Sequence, residues 1–336
     1  MEKASSSRWT HHPELADGLK RVQACLEEQL STGHKLISDA VMSLLRAGGK
    51  RVRPALVLTS GMFGHADPEK LVVVASAVEV VHMATLVHDD IVDDADTRRG
   101  IETVQARHGA NVAVFTGDYL FTRAFQMLSR YADTGILSSV ANAVQQVCEG
   151  EIEQYEARGD VTVSFGQYLR RIRQKTAMLF ALSCYAGALV AGAPRDTTDT
   201  LRRFGLHLGI AFQIADDVLD FSQDEAATGK PAAHDLACGV YTLPVIYALG
   251  SRKWGPELRA LLTELNATGR DGRDSMSCQA RKRVIAAVRE SGALCRALQV
   301  AERYADRANR CLALLPDGTG KEILADILAS VVHRTS

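Results

Sequence analysis

The sequence His88-Asp89-Asp90-Ile91-Val92-Asp93-Asp94 ends the most apolar stretch of the chain, residues 71–87. This apolar run is too long for a typical strand and predicts a buried helix. On a helix, Asp89 and Asp93 lie one turn apart on the same face, where like charges repel. The stretch is therefore either a solvated acidic helix end or a site for divalent cations.

A second acidic cluster, Asp216-Asp217-Val218-Leu219-Asp220, ends another mostly apolar helical segment, residues 206–215. Hard divalent cations take oxygen ligands, and two carboxylate pairs of the same spacing favour a cation site over solvated helix ends. We expect the two clusters to lie on helices that face one another across a bundle.

The composition predicts an all-α protein. Of the 336 residues, 46% are hydrophobic, which is enough for a sizeable core, while aromatic residues make up only 6%. Abundant Ala, Leu and Val favour helices, and no convincing strand alternation is present. We expect a disordered tail over residues 1–12 and a single domain over residues 13–336.

Charge and cysteine usage exclude several function classes. The net charge of −1 gives no basic field for nucleic acid, and the seven cysteines form no CxxC pair. Scattered cysteines and a polar N-terminus without an apolar signal region indicate reduced thiols and a cytoplasmic protein. Glu79 and His82 interrupt the apolar run before Asp89, so we expect a core helix rather than a transmembrane segment.

The periodicity of apolar residues and the positions of helix-breaking residues give the expected bounds of the helices. Asp67-Pro68-Glu69 has the pattern of an N-cap, a first-turn proline and a first-turn acid. Glu149, Glu151 and Glu153 are expected on a solvated face, with an additional metal or helper site as the alternative. Helices are predicted over 13–30, 35–45 and 54–62, from 68 into the first acidic cluster, and over 111–131, 135–155, 164–191, 197–221 and 240–249. Two or three more are predicted within 281–333, broken at Gly292 and Pro316-Asp317-Gly318, and polar loops are predicted over 224–239 and 251–277.

Basic groups accompany the acidic clusters in a pattern suited to polyphosphate. Carboxylates can bind Mg²⁺ together with substrate phosphates, and Arg and Lys bind phosphate directly. Two separate basic groups suggest two phosphorylated substrates, and no P-loop or dinucleotide fingerprint is present. The basic residues are Lys50, Arg51 and Arg53 in a glycine-flanked turn, Arg98 and Arg99 beyond the first cluster, and Lys175 before Thr176 inside an apolar helix.

These acidic and basic residues follow one another in the order found in the trans-isoprenyl (polyprenyl) diphosphate synthases, and the chain resembles that family from about residue 35 to residue 335. The matching motifs are Gly49-Lys50-Arg51-Val52-Arg53-Pro54, His82 with residues 86–94, Arg98-Arg99-Gly100, Gly117-Asp118, Lys175-Thr176, residues 212–220, Gly229-Lys230-Pro231, Asp235-Leu236 and Thr242-Leu243-Pro244. Two aspartate motifs joined by this ordered basic set are far more specific than one alone.

The resemblance implies a single-domain isoprenoid-synthase helical bundle with a central apolar cavity. It implies a prenyltransferase that condenses isopentenyl diphosphate head-to-tail with an allylic diphosphate, with three Mg²⁺ per site and a homodimer. It further implies that Asp89, Asp93, Asp216 and Asp220 hold the metal, within a catalytic set that also includes Asp90, Asp217 and Lys175. Arg98, Lys175 and Lys230, with Thr176 and Gln213, would bind the allylic diphosphate, and Lys50, Arg53, His82 and Arg99 would bind isopentenyl diphosphate.

In this family, bulky residues upstream of the first aspartate motif stop chain growth. Here Ala84 and Thr85 are small, and Val81, one turn deeper, is not aromatic. We therefore expect a product longer than twenty carbons, with a product of fifteen or twenty carbons as the alternative. A regulatory subunit of a heteromeric synthase and a class I terpene cyclase are the alternatives of another class.

Overall fold

In the part of the chain that the structure describes, the elements are helices and one hairpin of two short strands. The computed structural model of the protein describes residues 8–98, 100–130, 135–222, 233–267 and 278–332. In chain order the elements are a 3₁₀ helix Arg8–His11, α1 Pro13–Gln29, α2 Lys35–Arg46, α3 Val52–Gly61, α4 Pro68–Val92, β1 Thr97–Arg98, β2 Ile101–Glu102, α5 Val104–His108, α6 Ala110–Ser129, α7 Ile136–Glu156, α8 Phe165–Ile172, a π-helical turn Arg173–Ala177, α9 Met178–Val190, α10 Arg195–Ser222, α11 His234–Ala237, α12 Leu243–Leu249, α13 Gly255–Ala267, α14 Cys278–Glu290, α15 Ala293–Ala313 and α16 Thr319–Val332. The all-α prediction is confirmed.

The chain divides into two compact units, and each contains one aspartate motif. The first unit comprises Met1–Val144, Leu179–Gly205 and Cys311–Ile327, and the second comprises Gln145–Met178, Leu206–Arg310 and Leu328–Ser336. The single domain over 13–336 and the facing arrangement of the two motifs stay predictions.

The first unit is organised around α4, which is apolar on all sides. The Asp67 side chain caps its start by accepting a hydrogen bond from the backbone N–H of Glu69 at 2.9 Å, and Pro68 follows as expected. The helix packs against α1, α3 and α6. By length and composition α4 is apolar enough to cross a membrane, but most of its apolar stretch is buried inside the protein, which is typical of a core helix.

In the second unit, an apolar stripe buries one side of α10 just before its acidic end. Ile210, Ile214 and Val218 recur at four-residue spacing and pack in one cluster with Tyr168 of α8 and Leu243 of α12. A second cluster joins Phe221 at the end of α10 to α11, α12, α13 and α14. This packing fixes the orientation of the last turns of α10, where the aspartates lie.

Several predicted bounds are wrong. Residues 8–11 of the expected disordered tail form a helical turn, because Trp9 is buried. The predicted loop over 251–277 contains α13, because Leu258 and Leu262 bury one helical face. The predicted helix over 164–191 is interrupted by the π turn, and α11 lies within the predicted loop over 224–239. Residues 223–232 and 268–277 lie outside the described part of the chain.

Candidate active site

The first aspartate pair lies at the C-terminal end of α4. The helix ends at Val92, but the backbone N–H of Asp93 still donates to the carbonyl of Asp89 at 2.8 Å, so the i, i+4 geometry is kept. Both side chains are half-buried. Carboxylates at this end of a helix add to the negative pole of its dipole and favour a bound cation. The geometry therefore suits the metal-binding role expected of Asp89 and Asp93.

Asp90, between them, has a different environment. It is almost completely buried, and its Oδ1 accepts a hydrogen bond from Nε of Arg98 at 2.6 Å. Burial raises the pKa of Asp90, and the neighbouring Arg98 guanidinium opposes that rise. The pair ties the β1–β2 hairpin to the last turns of α4. Asp90 therefore holds the framework of the site together.

The His88 side chain lies directly against Gly117 of α6. A Cβ on Gly117 would come within 2.1 Å of Nε2 of His88, so any other residue would displace the imidazole from this position. The His88 ring lies 5.7 Å from the ring of Phe121, and its Nε2 lies 3.6 Å from Oδ1 of Asp118. These contacts position the residue directly before Asp89.

The basic turn is anchored by Arg51, for which the sequence indicated no separate role. Arg51 has φ of +49°, a left-handed conformation that is strained in a non-glycine residue. Its guanidinium donates to Glu79 at 2.6 Å and to Gln23 at 3.0 Å, and Glu79 is only 5% exposed. The acid that interrupts the apolar run of α4 is thus the counter-charge that fixes this turn.

A small pocket with a volume of about 30 Å³, partly open to solvent, lies within the first unit. Of the residues expected to bind isopentenyl diphosphate, His82 lines it, whereas Lys50 and Arg53 are not among its lining residues. Arg98, expected at the allylic diphosphate, lines the same pocket as His82. Lys50 is exposed, and the Arg53 guanidinium lies 4.9 Å from the ring centre of Phe180. Arg99 lies outside the described residues.

The expected chain-length residues lie on the buried part of α4. Val81 and Ala84 are fully buried, and the Thr85 hydroxyl donates to the backbone carbonyl of His82 at 2.8 Å. On α6, Phe115 is 63% exposed. The role of Val81, Ala84 and Thr85 in limiting product length stays a prediction.

The second aspartate motif repeats the arrangement of exposed and buried carboxylates. Asp216 is exposed, Asp220 is half-buried and Asp217 is buried. The Oδ2 of Asp217 accepts from the Tyr168 hydroxyl at 2.5 Å, and its Oδ1 accepts from Nε2 of Gln213 at 2.8 Å. Burial, reinforced by the nearby Asp235 carboxylate, raises the pKa of Asp217 to about 8.

A chain of hydrogen bonds extends from Asp217 to the π turn. Gln213, which donates to Asp217, accepts through its Oε1 from the Thr176 hydroxyl at 2.8 Å. The structure thus brings together the predicted residues Thr176, Gln213 and Asp217. Tyr168 is fully buried, and burial together with Asp217 raises its pKa well above the usual range. Sequence reasoning missed Tyr168, because no local pattern indicates a partner 49 positions away.

Lys175 lies in the π turn, and its anionic partner is Glu151 of α7. The Nζ of Lys175 is 2.7 Å and 2.8 Å from the two carboxylate oxygens of Glu151. A lysine inside an apolar helix requires an anionic partner, and Glu151 supplies it within the protein. The expectation of a solvated face is therefore wrong for Glu151, although Glu149 is exposed. Lys230 lies outside the described residues.

The donor atoms fit a hard divalent cation that is held jointly with substrate. Within the described ranges, no group of three or more His, Cys, Asp or Glu side chains forms a ready-made metal cage. Mg²⁺ commonly takes one or two carboxylates, several waters and substrate phosphates. The carboxylate pairs Asp89 with Asp93 and Asp216 with Asp220 supply that kind of ligand.

Known proteins are similar in sequence to this chain over nearly its whole length. A sequence model of the Polyprenyl synthetase family matches residues 34–277. Heptaprenyl diphosphate synthase component 2 of Geobacillus stearothermophilus is 39% identical over 95% of this chain and 97% of its own length. Nonaprenyl diphosphate synthase of Mycobacterium tuberculosis is 34% identical over 94% of this chain and 92% of its own length.

Solved structures agree with the sequence relatives. A crystal structure of polyprenyl synthase from Caulobacter crescentus, complexed with calcium and isoprenyl diphosphate, has a TM-score of 0.90 and 31% identity, and the match covers 100% of both chains. Geranylgeranyl pyrophosphate synthase from Lactobacillus brevis has a TM-score of 0.89 and 32% identity, covering 97% of this chain and 99% of that one. The chain belongs to the polyprenyl synthetase family and is a trans-polyprenyl diphosphate synthase, a prenyltransferase with the all-α isoprenoid-synthase fold.

Proposed function

We propose that the chain condenses isopentenyl diphosphate head-to-tail with an allylic diphosphate to give a product longer than twenty carbons. The observation that carries the length is the similarity over nearly the whole chain to curated synthases named for seven and nine prenyl units. Small, buried Ala84 and Thr85 agree with it. Similarity of fold does not select the length, because a geranylgeranyl synthase superposes as well as a decaprenyl diphosphate synthase.

The binding roles are divided among three sets of residues, one for Mg²⁺, one for the allylic diphosphate and one for isopentenyl diphosphate. Asp89, Asp93, Asp216 and Asp220 hold Mg²⁺, expected as three ions. Lys175, Thr176 and Gln213, with Arg98 and Lys230, bind the allylic diphosphate, and Lys50, Arg53, His82 and Arg99 bind isopentenyl diphosphate.

The chemistry follows from the charge that develops when the allylic C–O bond breaks. Bound Mg²⁺ would neutralise negative charge on the departing diphosphate. Lys175 and Arg98 stabilise the same charge, because their positive groups are held in place before the bond breaks. The double bond of isopentenyl diphosphate attacks the allylic cation, and the released diphosphate takes the proton that is then lost. Apolar side chains exclude water that would otherwise trap the cation.

The test is incubation of purified protein with Mg²⁺, isopentenyl diphosphate and primers of ten, fifteen and twenty carbons. We expect linear prenyl diphosphates with more than twenty carbons by mass spectrometry. A product that stops at fifteen or twenty carbons supports the shorter-chain alternative. Cyclic hydrocarbon without isopentenyl diphosphate supports a terpene cyclase.

Ala84→Phe tests the chain-length residues separately. The larger ring next to the first aspartate motif is expected to shorten the product. Ala188→Phe, at a fully buried alanine of α9, is the matched control for the general cost of overpacking. An Ala84→Phe enzyme that is active and makes a product of unchanged length removes Ala84 from the chain-length determinants.

A heteromeric enzyme is the second candidate, because one relative is named component 2 of its synthase. In that case the purified chain turns over slowly or not at all until a second component is added. Both aspartate motifs are present, which favours a catalytic role for this chain within such a complex. Turnover by the purified chain alone would exclude an obligatory partner.

The assembly and location are proposed as a homodimer in the cytoplasm. Light scattering coupled to size-exclusion chromatography is expected to give twice the mass of one chain. A mass equal to one chain would contradict the homodimer.

A further inference from the structure

The π turn that carries Lys175 is held against α7 by a glycine and the acid that follows it. Gly150 is buried, and a Cβ there would lie 3.0 Å from the backbone nitrogen of Lys175 and 3.0 Å from the Cβ of Gln174. Any side chain at position 150 would therefore push the turn away. Glycine lets the backbone of α7 lie directly against the turn, and Glu151 then reaches Lys175.

The ion pair between Glu151 and Lys175 is mostly shielded from water. Both carboxylate oxygens lie within 2.8 Å of Nζ, and the side chains are 19% and 22% exposed. Exposed ion pairs contribute little, because solvent screens them and both side chains lose freedom. In a shielded pair, separating the two groups would leave each charge without compensation, which is costly. The Lys175 ammonium is therefore held beside the Glu151 carboxylate.

The turn is held on its other side by α10. Thr176, the next residue, donates to Gln213, which donates in turn to Asp217. Glu151 and Gln213 therefore fix consecutive residues of a π turn, a backbone irregularity that is found mostly as a single turn and frequently at functional sites. A lysine has four rotatable side-chain bonds, and holding its ammonium in advance reduces the entropic cost of binding an anion.

We propose that Glu151 is a positioning residue that holds Lys175 ready for the diphosphate of the allylic substrate. The inference rests on the proposed role of Lys175 in binding that diphosphate. Glu151 contributes no contact to the substrate itself. Its effect on binding and turnover passes through the Lys175 ammonium.

The test is a double-mutant cycle with a matched control on the same helix. Glu151→Gln keeps the size of the side chain and removes its charge, and Glu149→Gln makes the same change at an exposed position two residues away. We expect Glu151→Gln to lower kcat/KM for the allylic diphosphate about tenfold, while KM for isopentenyl diphosphate changes less than about twofold. Glu149→Gln is expected to change neither quantity.

The Lys175→Ala background separates positioning from a general structural role. If Glu151 acts through Lys175, Glu151→Gln in that background changes kcat/KM less than about twofold. An equal loss in both backgrounds would overturn the inference, as would no loss in the wild-type background or tighter binding by Glu151→Gln.

Calorimetric titration with inorganic diphosphate and Mg²⁺ gives a readout that does not require turnover. We expect the Kd of Glu151→Gln to rise about tenfold and that of Glu149→Gln to stay unchanged. If the wild type fails to condense the two substrates with or without a second component, but this binding pattern is found, the proposed function is wrong and the positioning stands. If the wild type condenses them but Kd does not change with Glu151→Gln, the positioning is wrong and the function stands.

Discussion

The acidic ends of α4 and α10 share one sequence pattern but hold their middle aspartates by different means. Asp90 is bound by a guanidinium, Arg98, at 2.6 Å. Asp217 is bound by neutral donors, the Tyr168 hydroxyl and the Gln213 amide. The pKa of Asp217 is raised to about 8, whereas the positive charge of Arg98 opposes the rise at Asp90. The pattern therefore determines which carboxylates point outward, and distant parts of the chain determine how the buried one is stabilised.

The largest expected effects fall equally on the two ends. Asp89→Ala and Asp216→Ala are each expected to lower kcat about a thousandfold or more, because each removes a ligand for the cation that stabilises the leaving group. Steady-state assays at saturating Mg²⁺ measure the loss. Asp96→Asn, at an exposed aspartate beyond the first motif, is the control. A loss at only one end would show that the two motifs are not equivalent.

The next largest effect is expected at the ion pair between Asp90 and Arg98 at the end of α4. Arg98→Ala is expected to lower the free energy of unfolding by about 2 kcal/mol, because buried Asp90 loses a charge-assisted hydrogen bond. Urea denaturation of this variant beside Arg107→Ala, at an exposed arginine nearby, measures the difference. A cost equal to that of Arg107→Ala would mean that the pair does not stabilise the hairpin.

The hydrogen bond from Tyr168 to Asp217 at the end of α10 is expected to contribute less to the free energy of unfolding. Tyr168→Phe removes only the hydroxyl and is expected to lower the free energy of unfolding by about 1 kcal/mol. Tyr155→Phe, at a tyrosine that is 64% exposed, is the control in the same denaturation assay. A larger cost for Tyr168→Phe than for Arg98→Ala would reverse the comparison.

The smallest effect is expected at the far end of the hydrogen-bond chain. Thr176→Val keeps the shape of the side chain and leaves Oε1 of Gln213 without this donor, at an expected cost of about 0.5 kcal/mol. Thr122→Val, an exposed helical threonine, controls for the change in helix propensity. If both variants have the same unfolding midpoint, Thr176 does not contribute to holding Gln213.

Local signals in the sequence predicted much of the helical framework. The cap at Asp67, the proline at position 68 and the apolar run that follows are all local, and α4 forms as they indicate. The breaks at Gly292 and near Pro316 likewise separate α14, α15 and α16. In α13, by contrast, the apolar residues are diluted by charged ones, so its helical face was missed.

Contacts between distant positions could not be predicted. Glu79 was visible only as an interruption of an apolar run, because its partner Arg51 lies 28 positions away. Lys175 was visible only as a charge inside an apolar helix, because its pairing with Glu151 depends on the close packing that Gly150 permits. The π turn has no pattern of its own in the sequence.

The most direct test of the account is the product made by the unmodified chain. Purified protein is incubated with Mg²⁺, isopentenyl diphosphate and a fifteen-carbon allylic primer, and the product is measured by mass spectrometry. We predict a series of linear prenyl diphosphates that extends beyond twenty carbons and disappears when Mg²⁺ is chelated. A product that ends at twenty carbons would contradict the proposed chain length, and no condensation by the chain with or without a second component would contradict the proposed reaction.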